Sequence, residues 1–214
     1  MATLKQRYAE IIRHRAFFSQ LGTGILLLFG SLLINNFAND YTAAHYSSGV
    51  NDIILDNLPT LNVEVIFLEG AIALIIFIAL ICLYKPLRFP FMCKTVALFI
   101  AVRAFFLTLT HLGPPLHELV FQPQSIFERL IYGSGDDLFF SGHVGLPFLM
   151  ALIFWKQKHL RWFFLFASLF FAAAVLLGHI HYSIDVFSAF FISYGIFHIA
   201  LHWFKKDRAL FESA

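Results

Sequence analysis

Between residues 16 and 204 the chain returns six times to an apolar stretch long enough, or nearly so, to cross a bilayer. A crossing of ~30 Å of hydrocarbon takes roughly 20 apolar residues in a helix. The stretches are 16–35, 63–84, 95–112, 138–155, 162–177 and 184–204. Each must be helical, because lipid offers no partner for open backbone amides and carbonyls. The expectation is an all-α polytopic membrane protein with six transmembrane helices, built as one membrane domain over residues 1–214. Composition supports this. With 59% hydrophobic and 13% charged residues, a soluble domain of this length has no way to hide its apolar surface. The 28 Phe suit a lipid-facing surface or an acyl-chain groove.

The basic residues set the expected orientation. Lys5, Arg7, Arg13 and Arg15 precede the first span. Lys85, Arg88 and Lys94 follow the second, Lys156, Lys158 and Arg161 the fourth, and Lys205, Lys206 and Arg208 the sixth. Thirteen of the 15 Lys and Arg thus collect on one side, which places both termini in the cytoplasm. The opposite side carries Asp40, Asp52, Asp56, Glu118, Glu128, Asp136 and Asp137. The polar N-terminus leads into an apolar run without a small-residue cleavage site, so that run reads as a retained helix. Cys82 and Cys93 fall near an inside loop, where no disulfide is expected. The inverted repeats of many transporters are not visible.

Two polar stretches interrupt this pattern: residues 135–143, reading GDDLFFSGH, and residues 179–185, reading HIHYSID. The first opens the fourth span and the second opens the sixth, so both lie at the outer ends of their helices. Ionisable groups at such depth are functional candidates by default. His181 and Asp185 stand four apart at a helix start and share a face. A carboxylate beside an imidazole fixes its tautomer and stabilises the imidazolium. The other ring nitrogen is then available to attack phosphorus, with His143 as a general acid for the leaving oxygen.

Asp137-x5-His143, with Ser141-Gly142-His143-Val144, followed by His181-Tyr182-Ser183-Ile184-Asp185, resembles the paired active-site motifs of the sphingomyelin synthase family. That family is a branch of the type-2 phosphatidic acid phosphatase superfamily. Arg103-x4-Thr108-x-Thr110 before Pro114-Pro115 resembles part of its third-span motif, and Asp52-x3-Asp56-x2-Pro59 loosely resembles its first-loop motif. The resemblance implies His181 as a nucleophile forming a phosphohistidine and Asp185 as the group that orients it. It implies His143 as general acid and base, supported by Asp137 and Ser141. It implies metal-independent transfer of a phosphorylated head group from a phospholipid to a lipid alcohol such as ceramide or diacylglycerol. Membrane lipids are then the partners; nothing points to a cofactor, a nucleic acid or a protein partner. The compact chain suits a bacterial member, in the inner membrane with its site toward the periplasm. The chain departs from the family in three places: no Lys-x6-Arg-Pro phosphate motif, no Cys before Gly135-Asp136, and Val144 where the synthases carry Thr. Head group and acceptor stay open.

Other readings compete. With water as acceptor, the same residues give a phospholipase C-like enzyme or a lipid phosphatase. A non-enzymatic lipid-binding or transport protein is a more distant alternative. His143, His179, His181 and Asp185 could ligate zinc, but no helical His-x3-His pair supports it. Ser141 as a protease nucleophile lacks the rhomboid Gly-x-Ser-Gly pattern. Arg103 is expected mid-span, paired with Glu69 on the second span; alternatively it reaches the phosphate pocket. Arg129 is a candidate phosphate ligand, since guanidinium matches phosphate oxygens. Tyr46, Tyr132 and Tyr182 could cradle a quaternary ammonium.

Overall fold

The computed structural model describes residues 8, 11, 16–45, 47–115 and 139–213. Among them the chain is helical and without strands. The helices are α1 (Ala16–Ala43), α2 (Glu64–Tyr84), α3 (Phe89–Leu109), α4 (Gly142–Ile153), α5 (Lys158–Leu177), α6 (Ser183–Trp203) and α7 (Lys205–Glu212). Short 3-10 turns stand at Leu55–Asn57 and Pro86–Arg88.

Five of these helices, α1, α2, α3, α5 and α6, are long and apolar enough to cross a membrane. Their outward faces carry Leu26, Phe29, Phe37, Phe166 and Phe191, all exposed. Such a surface is stable only when lipid covers it. The chain is a multi-pass membrane protein.

The fourth expected span is shorter than the hydropathy suggests. Phe139 and Phe140 form a bend, Ser141 holds an extended N-cap conformation, and the helix ends at Ile153. Twelve residues rise about 18 Å, well short of a bilayer. α4 is the core helix. Val144, Leu149, Met150, Ile153 and the following Phe154 are fully or almost fully buried against α5 and α6. Pro147 lies inside it and has no N–H to offer the carbonyl of His143 one turn back. Gly145 is required by close approach: a Cβ there would stand 2.9 Å from the Phe99 ring and from Ser193 Oγ.

α1 packs along α3, and α2 leans on α5. Contacts between distant segments fix which helix ends lie together. Lys94 at the start of α3 binds Asp207 of α7 and Gln20 near the start of α1. At the opposite end, Leu61 N–H donates to Leu177 O, and Ser141 N–H to Asp185 O. Cys82 and Cys93 are buried free thiols.

Candidate active site

The two polar stretches meet at the end of the bundle opposite Lys94. The Ser141 N–H, at the start of α4, donates to the Asp185 carbonyl in the first turn of α6 at 3.2 Å. That single bond sets the entrance of one motif against the entrance of the other. Ser141 is fully buried, and its Oγ has no hydrogen-bond partner.

The turn before α6 is tightly folded. His179 adopts a left-handed backbone, with φ 51°, a conformation uncommon outside glycine. Tyr182 is extended at the N-cap, and its N–H donates to Asp185 Oδ2 at 3.0 Å. Asp185 thereby satisfies an open helix-start amide, while the same oxygen stands 3.6 Å from His181 Nδ1. That is an electrostatic contact, longer than a hydrogen bond. His181 and Asp185 are both buried. With Nδ1 facing the carboxylate, Nε2 is the nitrogen that can face a substrate.

His143 is half-buried in the first turn of α4. Its ring stacks on Phe67 of α2 at 4.0 Å, with Phe171 of α5 at 5.6 Å. Its Nε2 lies 3.2 Å from the Phe67 carbonyl, an acceptor, so Nε2 carries the proton there. His181 lies within electrostatic reach of His143.

Arg103 corrects a sequence expectation. It sits six residues before the Leu109 end of α3, not mid-span, and among the described residues no ion pair joins it to Glu69. Glu69 is exposed on α2, which leans on α5. Arg103 is buried, its Nε donates to the Phe140 carbonyl at 2.9 Å, and the guanidinium lies over Gly142. It acts electrostatically on both His143 and Asp185. One cation, two imidazoles and one carboxylate, from α3, α4 and α6, therefore converge.

Tyr182 is tied into the fold. Its ring is buried, and its hydroxyl donates to Gly113 O and accepts from Val50 N–H, both at 3.0 Å. It ties two loops together. Asp137, Arg129, Tyr46 and Tyr132 lie outside the described residues. No group of three or more His, Cys, Asp or Glu with metal-binding geometry occurs among the described residues.

The sequence reading underweighted Asp52. Its Oδ2 accepts the Ser183 N–H of the α6 first turn at 2.7 Å, and its Oδ1 caps the turn at Ile54 and Leu55. Burial pushes its carboxyl up, but these hydrogen bonds, those from Ser183 foremost, outweigh it and hold the group below the usual carboxylate range. The available signal was the loose Asp52-x3-Asp56-x2-Pro59 pattern.

Residues 135–202 match the family model described as PAP2 superfamily C-terminal. This stretch is similar to the type-2 phosphatidic acid phosphatases. It carries both histidine motifs and nearly all of α4, α5 and α6. No curated protein matches the chain.

Proposed function

We propose that this protein is a lipid head-group phosphotransferase working through a phosphohistidine. The observation that carries the reading is the Ser141–Asp185 bond, which brings His143, His181 and Arg103 around one outer-end site. The match to a phosphatase superfamily supports phosphoryl chemistry on lipids. The paired motifs support the sphingomyelin synthase-like branch.

In the proposed first step, His181 Nε2 attacks the phosphorus of a phospholipid. The P–O bond to the glycerol oxygen breaks, and diacylglycerol leaves with a proton from His143. Asp185 faces Nδ1 and stabilises the positive ring as the P–N bond forms. In the second step a lipid alcohol such as ceramide attacks the same phosphorus. His143 takes its proton, and the P–N bond breaks to restore His181. His143 enters the first step protonated on both ring nitrogens: Nε2–H stays with the Phe67 carbonyl, and Nδ1–H is the proton given to the leaving oxygen and regained from the acceptor. Arg103 offsets charge on the phosphoryl oxygens, as a positioned guanidinium does in other phosphoryl transfers. No step uses a metal. The site faces the outer leaflet, in keeping with the basic residues at the other end.

A second reading shares every residue. With water as acceptor the phosphohistidine is hydrolysed, which the match to a phosphatase superfamily favours.

Purified protein given labelled phosphatidylcholine, phosphatidylethanolamine or phosphatidylinositol, with and without ceramide, separates the two readings. Transfer yields labelled product lipid only with acceptor present; hydrolysis releases label without it. His181→Ala abolishes turnover, His143→Ala lowers it at least ~100-fold, and a chelator leaves it unchanged. If no phospholipid and no lipid monophosphate is consumed, the enzyme reading fails.

A further inference from the structure

The first outer loop runs across the turn that carries His181. Four ties from residues 50–61 reach residues 177–183. Val50 N–H donates to Tyr182 Oη, and Asp52 Oδ2 accepts from Ser183 N–H. His179 Nε2 lies 3.3 Å from Leu58 O, and Leu61 N–H donates to Leu177 O at 2.7 Å. Three of the four join groups that a loop of almost any sequence offers. The Asp52 bond is different: it is the shortest of the side-chain ties, at 2.7 Å, and it brings a formal charge.

Its placement is specific. Ser183 is the first residue of α6, two after His181 and two before Asp185. An amide at a helix start has no partner within its own helix. Asp185 Oδ2 satisfies the Tyr182 amide, and Asp52 Oδ2 satisfies the next one. Two carboxylates, one from within the helix and one from a loop 131 positions away, hold consecutive amides of the turn. The second oxygen of Asp52 binds Ile54 and Leu55 N–H, so the carboxylate cannot swing away without breaking its own turn.

We propose that Asp52 is a positioning residue of this site: its carboxylate clamps the start of α6 and thereby fixes where His181 Nε2 points. It touches no reacting atom. The proposal rests on His181 being the nucleophile, and it concerns the loop that the family match, starting at residue 135, does not reach. A nucleophile on a left-handed turn needs outside restraint, since displacement by about 1 Å costs on the order of 100-fold in rate.

The test uses the full chain with Asp52→Ala, Asp52→Asn, Ser183→Pro and the Asp52→Ala/Ser183→Pro pair. Ser183→Pro deletes the bonded N–H at the helix position that best accepts proline. The preceding Tyr182, at φ −65° and ψ 156°, already has the backbone a following proline requires. Asp52→Ala and Ser183→Pro should each lower kcat on labelled phospholipid by about 10- to 100-fold with KM within about twofold. The pair should be no worse than the poorer single variant, because both remove one bond. Asp52→Asn keeps one acceptor oxygen, enough for Ser183 or for the Ile54–Leu55 turn but not both, and should fall between Asp52→Ala and the parent in rate. Amide exchange in residues 177–185 should quicken most in Asp52→Ala and less in Asp52→Asn. Rates within twofold of the parent for both single variants, or losses that multiply in the pair, overturn the clamp. If Asp52→Ala fails to fold, Ser183→Pro reads the same bond. If the parent chain turns over no phospholipid, the enzyme reading falls. Exchange then judges the clamp alone, and unchanged protection in Asp52→Ala overturns it.

Discussion

Arg103 shows how much of a residue's role is set by the atom it is tied with. The guanidinium enters the site with its Nε–H committed to the Phe140 carbonyl. That bond restrains the guanidinium plane, and the charge acts on His143 and Asp185. A lysine supplies the charge but has no second, fixed donor edge. Arg103→Lys should therefore lower kcat/KM on phospholipid at least ~10-fold and weaken vanadate inhibition in parallel. Unchanged kinetics would show that charge alone matters there. The types at this site were legible in the sequence. Spacing put His181 and Asp185 on one face, and helix polarity put His143 at the same depth. The partner of Arg103 was not legible, because hydropathy gives the depth of a residue and not the rotation of its helix. The link from Asp52 to Ser183 was beyond reach for a related reason: no periodicity governs where a loop lays its carboxylate.

Hydropathy located the helices and missed their ends. α1 runs on to Ala43, eight residues past the expected Asn35, since Asn36, Asn39 and Asp40 end an apolar run without breaking a helix. α4 is shorter than its apolar run because Phe139 and Phe140, apolar themselves, are spent on a bend before the helix starts. α7 escaped because its apolar residues are few, Ala209, Leu210 and Phe211 among charged neighbours. Yet it closes the end of the bundle opposite the site. Asp207 binds Lys94 Nζ through both oxygens, at 2.8 and 2.9 Å, and the pair is buried. Arg208 donates to the last carbonyl of α4 and lies over the rings of Phe91 and Phe211. Removing one member of a buried ion pair leaves an uncompensated charge and costs about 3–5 kcal/mol. Asp207→Ala should lower stability by that order in thermal unfolding of the solubilised protein. Lys94→Met combined with Asp207→Leu should regain most of it, since an apolar pair needs no charge partner. An equal loss in the double variant would mean that α7 is held chiefly by Arg208 and its rings.

The whole molecule has two chemically distinct ends, and the contacts show which residues belong to each. Gln20, Lys94, Lys156, Asp207, Arg208 and Glu212 are linked at one end. Asp52, Ser141, Tyr182, Ser183 and Asp185 are linked at the other. Lys94, Lys156 and Arg208 thus lie away from the site, which is the arrangement expected if that end stays in the cytoplasm and the site opens outward. This orientation decides which leaflet supplies the substrate, so it bears on function directly. Ser48 and Ser213 are exposed at opposite ends, and both native thiols are buried. In intact cells a membrane-impermeant maleimide should label Ser48→Cys without treatment, and Ser213→Cys only after permeabilisation. The reverse pattern would turn the site to the inner leaflet. The donor would then be drawn from cytoplasmic-face lipid, and the excess of basic residues would have to be explained by contact with something other than anionic headgroups.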